Sequence, residues 1–340
     1  MARILVSGAF GNVGRSTVAA LLAEGHSVLA FDRPTGVNQR LARSLIGQCK
    51  SGGGVASSGG NHGGNGSSTG LELRWGDIRD TRAVAAAVAD CDAVVHLAAI
   101  IPPLADRVPE LAAAVNVGGT RNIIAACEAL SRPLIHASSI ALYGDRVCDP
   151  FIQVDDPVHP APDDVYGFQK AEAEGLVRNA GCPWTILRLS YVVSRRKLAL
   201  DPLMFRMPLA TSIEVVHTED AGRAFAHAVE AEASRGKTYN IGGGAKCRTS
   251  YREYLLSMFT LFGLGRKNQL PEAAFARQGY HCGWLDSEKA ELALHFQKKT
   301  LADYYVEVAE EARRLAVFVS LVPKLVFRSI MRRSPYLPVR

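Results

Sequence analysis

Apolar residues recur along the first half of the chain in two alternating patterns. Short apolar runs at Ile4–Val6 and Val28–Phe31 have the length of strands, whereas Val18–Leu22 lies in a segment of helical periodicity. The alternation continues with predicted strands at Leu71–Trp75, Ala93–Leu97 and Leu134–Ala137 and predicted helices at Thr81–Ala89 and 111–130. This order predicts an α/β fold with a Rossmann-like, doubly wound parallel sheet that helices cover on both faces.

The pattern becomes less regular after a strand at Thr185–Leu189. A strand at Val215–His217, a helix from about Asp220 to Glu230 and a strand at Thr238–Ile241 follow. We expect these pieces to build a smaller C-terminal substrate lobe over the carboxyl edge of the sheet, where open α/β folds bind ligands. The predicted organisation is a Rossmann domain over 1–185 and a substrate-binding lobe, interleaved with the core, over 186–305.

Two segments depart from this organisation. In 51–70, eighteen of twenty residues are Gly, Ser, Asn, His or Thr, which predicts a flexible surface insertion with no assigned role. The extension 306–340 mixes apolar runs with basic residues and contains Pro323, a pattern too interrupted for a membrane span. It predicts a basic amphipathic helix that either packs on the protein body or a partner subunit, or lies on an anionic membrane surface.

Composition and charge narrow the function classes. Hydrophobic residues make up 48% of the chain, enough for a large core, and the net charge is +6. Because the basic residues are dispersed through the folded region and neither a recognised nucleic-acid motif nor an aromatic-basic stripe occurs, we expect no nucleic-acid partner. The seven cysteines include no Cys-x-x-Cys pair, so neither a metal site nor a disulfide framework is predicted. The first strand begins at Arg3, which leaves no room for a signal peptide, and a cytoplasmic location is expected.

A glycine motif follows the first predicted strand and precedes the first predicted helix. Gly8, Gly11 and Gly14 have the spacing that lets a backbone turn tightly against a pyrophosphate at the amino end of a helix. Asp32 closes the second strand, where a carboxylate accepts hydrogen bonds from ribose hydroxyls and repels a 2′-phosphate. The motif therefore predicts NAD rather than NADP, a preference that the neighbouring Arg33 weakens.

A second motif lies in the middle of the chain. Tyr166 and Lys170 are four residues apart and share one face of a helix, and an ammonium beside a phenol lowers the pKa of the phenol toward that of a base. Alone, this spacing usually marks a solvated helix face. The Ser138–Gly144 segment supports a catalytic interpretation of the pair, because it places a hydroxyl at the strand edge where a nicotinamide would lie.

Together these motifs resemble an extended short-chain dehydrogenase/reductase of the NAD-dependent epimerase/dehydratase family. The resemblance covers roughly residues 2 to 305 and includes matching segments in the family's order: Gly76–Ile78, His96–Ala99, Asn116 with Gly119–Thr120, Ser138–Ser139, Val216–Asp220 and Tyr239–Gly243. It implies an NAD-dependent oxidoreductase that acts on a small-molecule substrate and forms a homodimer through paired helices.

The resemblance also implies roles for individual residues. Tyr166 would be the general acid/base, Lys170 would lower its pKa and bind the nicotinamide ribose, Ser139 would hydrogen-bond the reacting oxygen, and Asn116 would support the site. The residues expected to contact the cofactor are Gly8, Phe10, Gly11, Asn12, Val13, Gly14, Asp32, Arg33, Asp77, Ile78, Leu97, Ala98, Ala99, Tyr166 and Lys170. For Asn116 and Asp220, the alternative to a functional role is that the side chain simply caps a helix.

The substrate is less clearly indicated. Sugar-nucleotide dehydratases and decarboxylases of this family resemble one another in having an acidic residue where this chain has Ile140 and Ala141, which argues against both activities. Nucleotide-sugar epimerases usually bind the diphosphate through the residues at certain positions. In this chain those positions are occupied by Ser190–Tyr191 and Ile213. Ile100–Pro103 adds either an apolar wall near the nicotinamide or ordinary core packing.

Three functions remain open on the sequence. The first is an NAD-dependent oxidoreductase that transfers hydride at a secondary alcohol or ketone carbon of a sugar, a sugar acid or a sterol-like molecule. The second is a nucleotide-sugar epimerase with other diphosphate contacts. The third is a non-catalytic dinucleotide sensor, which the presence of Ser139, Tyr166 and Lys170 disfavours.

Overall fold

The central element of the fold is a seven-stranded parallel sheet. The computed structural model describes residues 1–51, 70–195, 202–265 and 270–337. The strands are β1 (Arg3–Ser7), β2 (Ser27–Asp32), β3 (Leu71–Trp75), β4 (Ala93–His96), β5 (Leu134–Ser139), β6 (Phe151–Ile152), β7 (Trp184–Leu189), β8 (Tyr191–Val193), β9 (Ser212–His217), β10 (Lys237–Ile241), β11 (Arg248–Ser250) and β12 (Trp284–Leu285). The order across the main sheet is β10-β7-β5-β4-β1-β2-β3.

Helices cover both faces of this sheet. They are α1 (Asn12–Ala23), α2 (Gly36–Ser51), α3 (Thr81–Ala89), α4 (Leu104–Arg107), α5 (Pro109–Ala113), α6 (Gly119–Ala129), α7 (Val165–Arg178), α8 (Thr218–Glu230), α9 (Tyr251–Leu261), α10 (Glu288–Leu294), α11 (Leu301–Leu321) and α12 (Pro323–Met331). The predicted doubly wound parallel fold is confirmed.

The strand order reverses direction between β1 and β4. From β1 the chain proceeds through β2 and β3 to one edge, and β4 then starts the opposite half, which ends at β10. Open α/β sheets bind ligands in the crevice beyond the carboxyl ends of the strands at such a switch point. Here that crevice lies beyond Ser7 and His96, two buried residues joined by a hydrogen bond of 2.8 Å from Ser7 Oγ to His96 Nδ1.

The helix at 218–230 and the strand at 237–241 belong to the main body, which corrects the expectation that they build the smaller lobe. β10 pairs in parallel with β7, and α8 packs against α1. The two helices approach so closely that a Cβ on Gly222 would lie 2.6 Å from the carbonyl carbon of Ser16. Burial of apolar surface between α1 and α8 therefore holds this part of the chain on the sheet.

A separate apolar cluster builds the region beyond the sheet edge. It combines residues from β8 and β9 of the small sheet β11-β9-β8 with others from α9, α11, α12 and the turn at Pro202–Arg206, including Phe205, Ile213, Tyr254, Phe259 and Ile330. The phenyl rings of Phe205 and Phe275 pack with centroids 5.3 Å apart. This second core lies over the carboxyl edge and provides most of the apolar surface there.

Other segments differ in detail from the sequence-based expectation. The predicted helix at 111–130 is three pieces, because a π-helical turn at Ala114–Gly118 separates α5 from α6. The C-terminal helix begins at Leu301 rather than 306, since Thr300 and Asp303 form a capping box at its start. Of the predicted insertion at 51–70, residues 52–69 lie outside the described part of the chain.

Candidate active site

The glycine motif forms a compact turn between β1 and α1. Gly8 has φ +72° and its carbonyl accepts a hydrogen bond from the Gly11 amide at 3.0 Å. A Cβ on Gly14 would lie 2.1 Å from the Gly8 oxygen, and one on Gly8 would lie 2.8 Å from Ala98. Gly11 caps α1 without a side-chain hydrogen bond, so the first amides of the helix are available to an anion. The turn thus fits the pyrophosphate of a dinucleotide.

The carboxylate at the end of β2 is fixed by three donors. Asp32 accepts from the Phe10 amide at 3.0 Å, the Arg33 amide at 2.8 Å and the Asn38 side chain at 3.0 Å. Burial nevertheless raises the pKa of Asp32 above its ordinary value, and these hydrogen bonds and the Arg33 charge oppose that rise. Asn38, on the helix α2 that sequence reasoning missed, is therefore a positioning residue for the predicted ribose ligand.

The residues expected at the adenine end lie in the turn between β3 and α3. Asp77 forms an ion pair with Arg79 at 2.6 Å, and this contact holds the pKa of Asp77 below its ordinary value. Ile78 is buried against Gly119, where a Cβ would lie 2.8 Å from the Ile78 side chain. Arg33 is exposed and close enough for its charge to lower the pKa of both Asp32 and Asp77. Adenosine would therefore meet alternating charges rather than a single acidic patch.

Tyr166, Lys170 and Ser139 line one cavity, as the motif spacing predicts. Asp164 caps α7 by accepting from the Gly167 amide at 2.8 Å, and Lys170 Nζ lies 5.9 Å from the centroid of the Tyr166 ring. The Lys170 ammonium donates to the Ala137 carbonyl at 2.8 Å. One turn of helix α7 therefore holds the phenol and the ammonium above the carboxyl end of β5.

Two serine hydroxyls end that strand. Ser139 Oγ accepts from the Ala141 amide at 3.2 Å and is also hydrogen-bonded to the Tyr166 phenol. Ser138 Oγ is buried, lines the same cavity and has no hydrogen-bond partner within the described residues. Buried hydroxyls normally have partners, so the pair is suited to hold a polar group of a ligand.

Burial dominates the protonation of the Tyr166–Lys170 pair. It raises the pKa of Tyr166 above its ordinary value, a hydrogen bond with Ser139 opposes the rise, and the Asp164 charge adds to it. This corrects the expectation that the pKa of the phenol is lowered in the protein alone. The same burial lowers the pKa of Lys170 to about 8, with the Glu174 charge acting in the opposite direction. Glu174 itself is bound by Arg188 through two hydrogen bonds of 2.7 Å.

Asn116 is not a helix cap, because it lies inside the π-helical turn. Its amide accepts from the Ile100 amide at 2.7 Å, donates to the Ile100 carbonyl at 2.9 Å and donates to Gln169 Oε1 at 2.7 Å. Gln169 sits next to Lys170 on α7. Asn116 therefore joins the segment after β4 to the helix that carries the phenol. Within that segment Leu97 and Ala99 line the cavity, and Ala98 faces Gly8.

Several contacts around the site were not singled out from the sequence. His281 Nδ1 lies 2.5 Å from Asp164 Oδ2, which connects the C-terminal region to the cap of α7. Asp220 accepts from the Lys298 and Lys299 amides at 3.1 and 3.0 Å, so its role is to fix that loop, whereas His217 caps α8. The N-cap spacing of Asp164 before Gly167 was a readable signal, but no local pattern indicates His281.

The cavity itself has two chemically different ends. Its volume is about 510 Å³, and its described lining contains Lys170 and His281 but no Asp, Glu or Arg side chain. Gly11, Asn12 and Val13 line one end. The other end is lined by aliphatic, sulfur-containing and aromatic side chains, all of which except Leu203 belong to the second core or pack against it: Leu203, Met204, Met207, Tyr251, Tyr254, Leu255, Met258, Phe259, Phe262, Leu264, Tyr304 and Ile330.

Comparison with known proteins agrees with this architecture. A sequence model of the NAD dependent epimerase/dehydratase family matches residues 4–242. The dTDP-4-dehydrorhamnose reductase of Mycolicibacterium smegmatis is 30% identical over 191 residues, which are 56% of this chain and 46% of that protein. The 3 beta-hydroxysteroid dehydrogenase/Delta 5-->4-isomerase of Mycobacterium tuberculosis is 34% identical over 129 residues, 36% of this chain and 28% of that protein. The matched region thus spans less than half the length of these curated relatives.

Solved structures match over a larger part of the chain. The UDP-glucuronic acid 4-epimerase of Bacillus cereus in complex with NAD superimposes with a TM-score of 0.69 at 22% identity. The superposition covers 92% of this chain and 97% of that chain. At this level of identity the likeness establishes the fold.

Proposed function

The chain belongs to the NAD dependent epimerase/dehydratase family, and from that premise we propose that it is an NAD-dependent oxidoreductase acting on a bulky, largely apolar secondary alcohol or its ketone. The family and its structural neighbours are NAD-dependent enzymes of the short-chain dehydrogenase/reductase type. What we propose beyond the family is the reaction and the substrate class.

The apolar end of the cavity carries this proposal. Met204, Met207 and Phe259 belong to the described lining beyond Tyr166, which includes no Asp, Glu or Arg side chain. A sugar diphosphate would lose its hydration there without a matching cation, a cost of several kcal/mol for a buried charge. An apolar ring system would instead gain about 25 cal/mol for each Å² of surface removed from water.

The positions that family epimerases use for the diphosphate support the same choice. Ile213 is fully buried in β9, and Ser190 and Tyr191 line the cavity without a formal charge. The basic Arg248 nearby is engaged with Glu214 at 2.8 Å and with the Leu285 carbonyl at 3.1 Å. The described residues that replace the usual diphosphate contacts are therefore apolar, uncharged or already paired.

The proposed reaction follows from the polar side chains at the junction of the two ends. When bound, NAD supplies the hydride acceptor, and NADH the hydride donor for the reverse direction. Ser139, which is hydrogen-bonded to the phenol, would contact the reacting oxygen. In ketone reduction Tyr166 would donate its phenolic proton to that oxygen, and in alcohol oxidation its phenolate would accept the proton of the substrate hydroxyl. The Lys170 ammonium, with its pKa lowered to about 8, would supply positive charge that favours the phenolate and, after ketone reduction, would return a proton to it.

The test is a turnover assay on the purified full chain with NAD. The panel would contain 3β-hydroxysteroids and other bulky secondary alcohols, simple sugar acids, and UDP-hexoses, with Tyr166→Phe as the control for contaminating enzymes. We expect NADH to accumulate only with bulky apolar alcohols and only with the unsubstituted protein. Isomerisation of a UDP-hexose without net NADH, or NADH formation confined to sugar acids, would overturn the proposed substrate class.

A further inference from the structure

The C-terminal helices expose apolar surface that the fold does not use. On their inner side, Phe327 packs edge-to-face on Phe259 with ring centroids 6.1 Å apart, and Ile330 is buried in the second core. Large apolar side chains on these helices have solvent exposures between 47% and 76%, and we call them the outer apolar face: Leu315, Val317, Phe318, Leu321, Val322 and Leu325. An exposed cluster of this kind marks an interaction site.

Basic residues surround this outer apolar face. From Ala312 to Arg340 the sequence contains seven Lys or Arg residues and no Asp or Glu. Arg313 and Arg314 are exposed at one end of the cluster, and Lys324, Arg328 and Arg332 are exposed at the other. The described acidic residues nearest in sequence, Glu310 and Glu311, precede it on α11. The charge therefore complements an anionic surface rather than a neutral or basic one.

We propose that the outer apolar face docks on the surface of an anionic phospholipid bilayer, with α11 and α12 lying in the interfacial plane. No helix in the described ranges is long and apolar enough to cross a membrane. Interfacial helices insert an apolar face among the headgroups while Lys and Arg bind anionic lipids, each contributing about 1 kcal/mol near the surface. Pro323 starts α12 directly after the exposed Leu321 and Val322, so the apolar residues cluster where the two helices meet.

The same helix connects this face to the cavity. Ile330 on α12 lines the apolar end of the cavity, whereas Leu325 on the same helix points to solvent with 65% exposure. Docking would thus bring the apolar end of the cavity to the lipid phase in which a bulky apolar alcohol dissolves. This second step rests on the proposed function, but binding to the bilayer does not.

Vesicle sedimentation of the full chain tests the proposal without any substrate. We expect the protein to sediment with phosphatidylcholine vesicles that contain phosphatidylserine, at least tenfold more than with pure phosphatidylcholine vesicles, and to dissociate as salt is added. The variant Leu321→Gln with Leu325→Gln should lose about tenfold of this binding, because it removes exposed apolar contacts. Leu292→Gln, on α10 at 70% exposure, is the matched control and should bind normally.

The results separate this proposal from its alternatives. Equal sedimentation of the double variant and the unsubstituted protein, or no sedimentation of either, would overturn it. Light scattering would reveal whether the double substitution instead dissociates a dimer, which would assign the face to a second copy of the chain. Vesicle binding without oxidation of any apolar alcohol would sink the proposed function alone.

Discussion

The two ends of the cavity are built in opposite ways. At the end that we propose for the cofactor, backbone atoms of consecutive residues make the site, and side chains are kept out of it by Gly8 and Gly14. At the apolar end, side chains make the site, and they come from distant segments such as 203–207, 251–262 and Ile330. The proposed cofactor contacts are therefore concentrated in short motifs, whereas the proposed substrate contacts are spread over the second core.

The junction between the ends is where a single change should have the largest effect. Tyr166→Phe removes the phenolic proton relay but little surface, so turnover should fall by about 10²–10⁴-fold while NAD affinity stays close to normal. Steady-state NADH formation and NAD titration by protein fluorescence measure the two quantities. Unchanged turnover would refute the assignment of Tyr166 as acid/base.

A substitution at the cofactor end should abolish dinucleotide binding. In Gly14→Ala the new Cβ would lie 2.1 Å from the Gly8 oxygen, so the turn must open. We expect loss of detectable NAD binding and a decrease of about 1–3 kcal/mol in the free energy of unfolding. Gly175→Ala on α7 is the control, because no atom lies within 4 Å of its Cβ position. The control should keep NAD binding, and a loss in both variants would show that the effect is not local.

A substitution at the apolar end should weaken substrate binding and leave the affinity for NAD unchanged. Met204→Gln places an amide in the apolar lining, and burying an unpaired amide against the substrate costs about 1–3 kcal/mol. KM for an apolar alcohol should rise by roughly tenfold, with NAD affinity unchanged. Leu292→Gln again provides the exposed control. If KM is unaffected while NAD binding weakens, the apolar end does not hold the substrate.

The smallest effect is expected from substitution of Asp32, whose carboxylate we propose binds the ribose. Asp32→Ala removes the proposed acceptor for the ribose hydroxyls and the charge that repels a 2′-phosphate, so NAD affinity should fall by roughly tenfold and NADP affinity much less. Paired affinity measurements for NAD and NADP give the ratio. An unchanged ratio would show that Asp32 does not select the cofactor.

The sequence predicted the elements whose local pattern is strong. β3 at Leu71–Trp75 and α3 at Thr81–Ala89 have the predicted bounds, because one is a short β-forming run and the other has an Asp80 cap before an apolar-periodic segment. α2 was missed, since its many polar residues conceal the buried Ala42 and Leu45.

Other features depend on tertiary structure and have no local signal. The assignment of α8 and β10 to the main body follows from contact with α1 and β7, which no spacing reveals. The spacing of Tyr166 and Lys170 correctly indicated a shared helix face but gave the wrong direction for the pKa of the phenol. The depth of burial decides that direction, and burial is set by the whole fold.

The bidentate pairing of Glu174 with Arg188 has a consequence for proton storage at the site. Both carboxylate oxygens of Glu174 are engaged by the guanidinium, and the described hydrogen bond of the Lys170 ammonium goes to the Ala137 carbonyl instead. Burial therefore lowers the pKa of Lys170 to about 8 although the Glu174 charge opposes that change. A group buffers most strongly at its own pKa. The interior of the protein therefore contains a group that stores a single proton, exchanges it most readily at mildly alkaline pH, and must be refilled from solvent after each proton that it supplies.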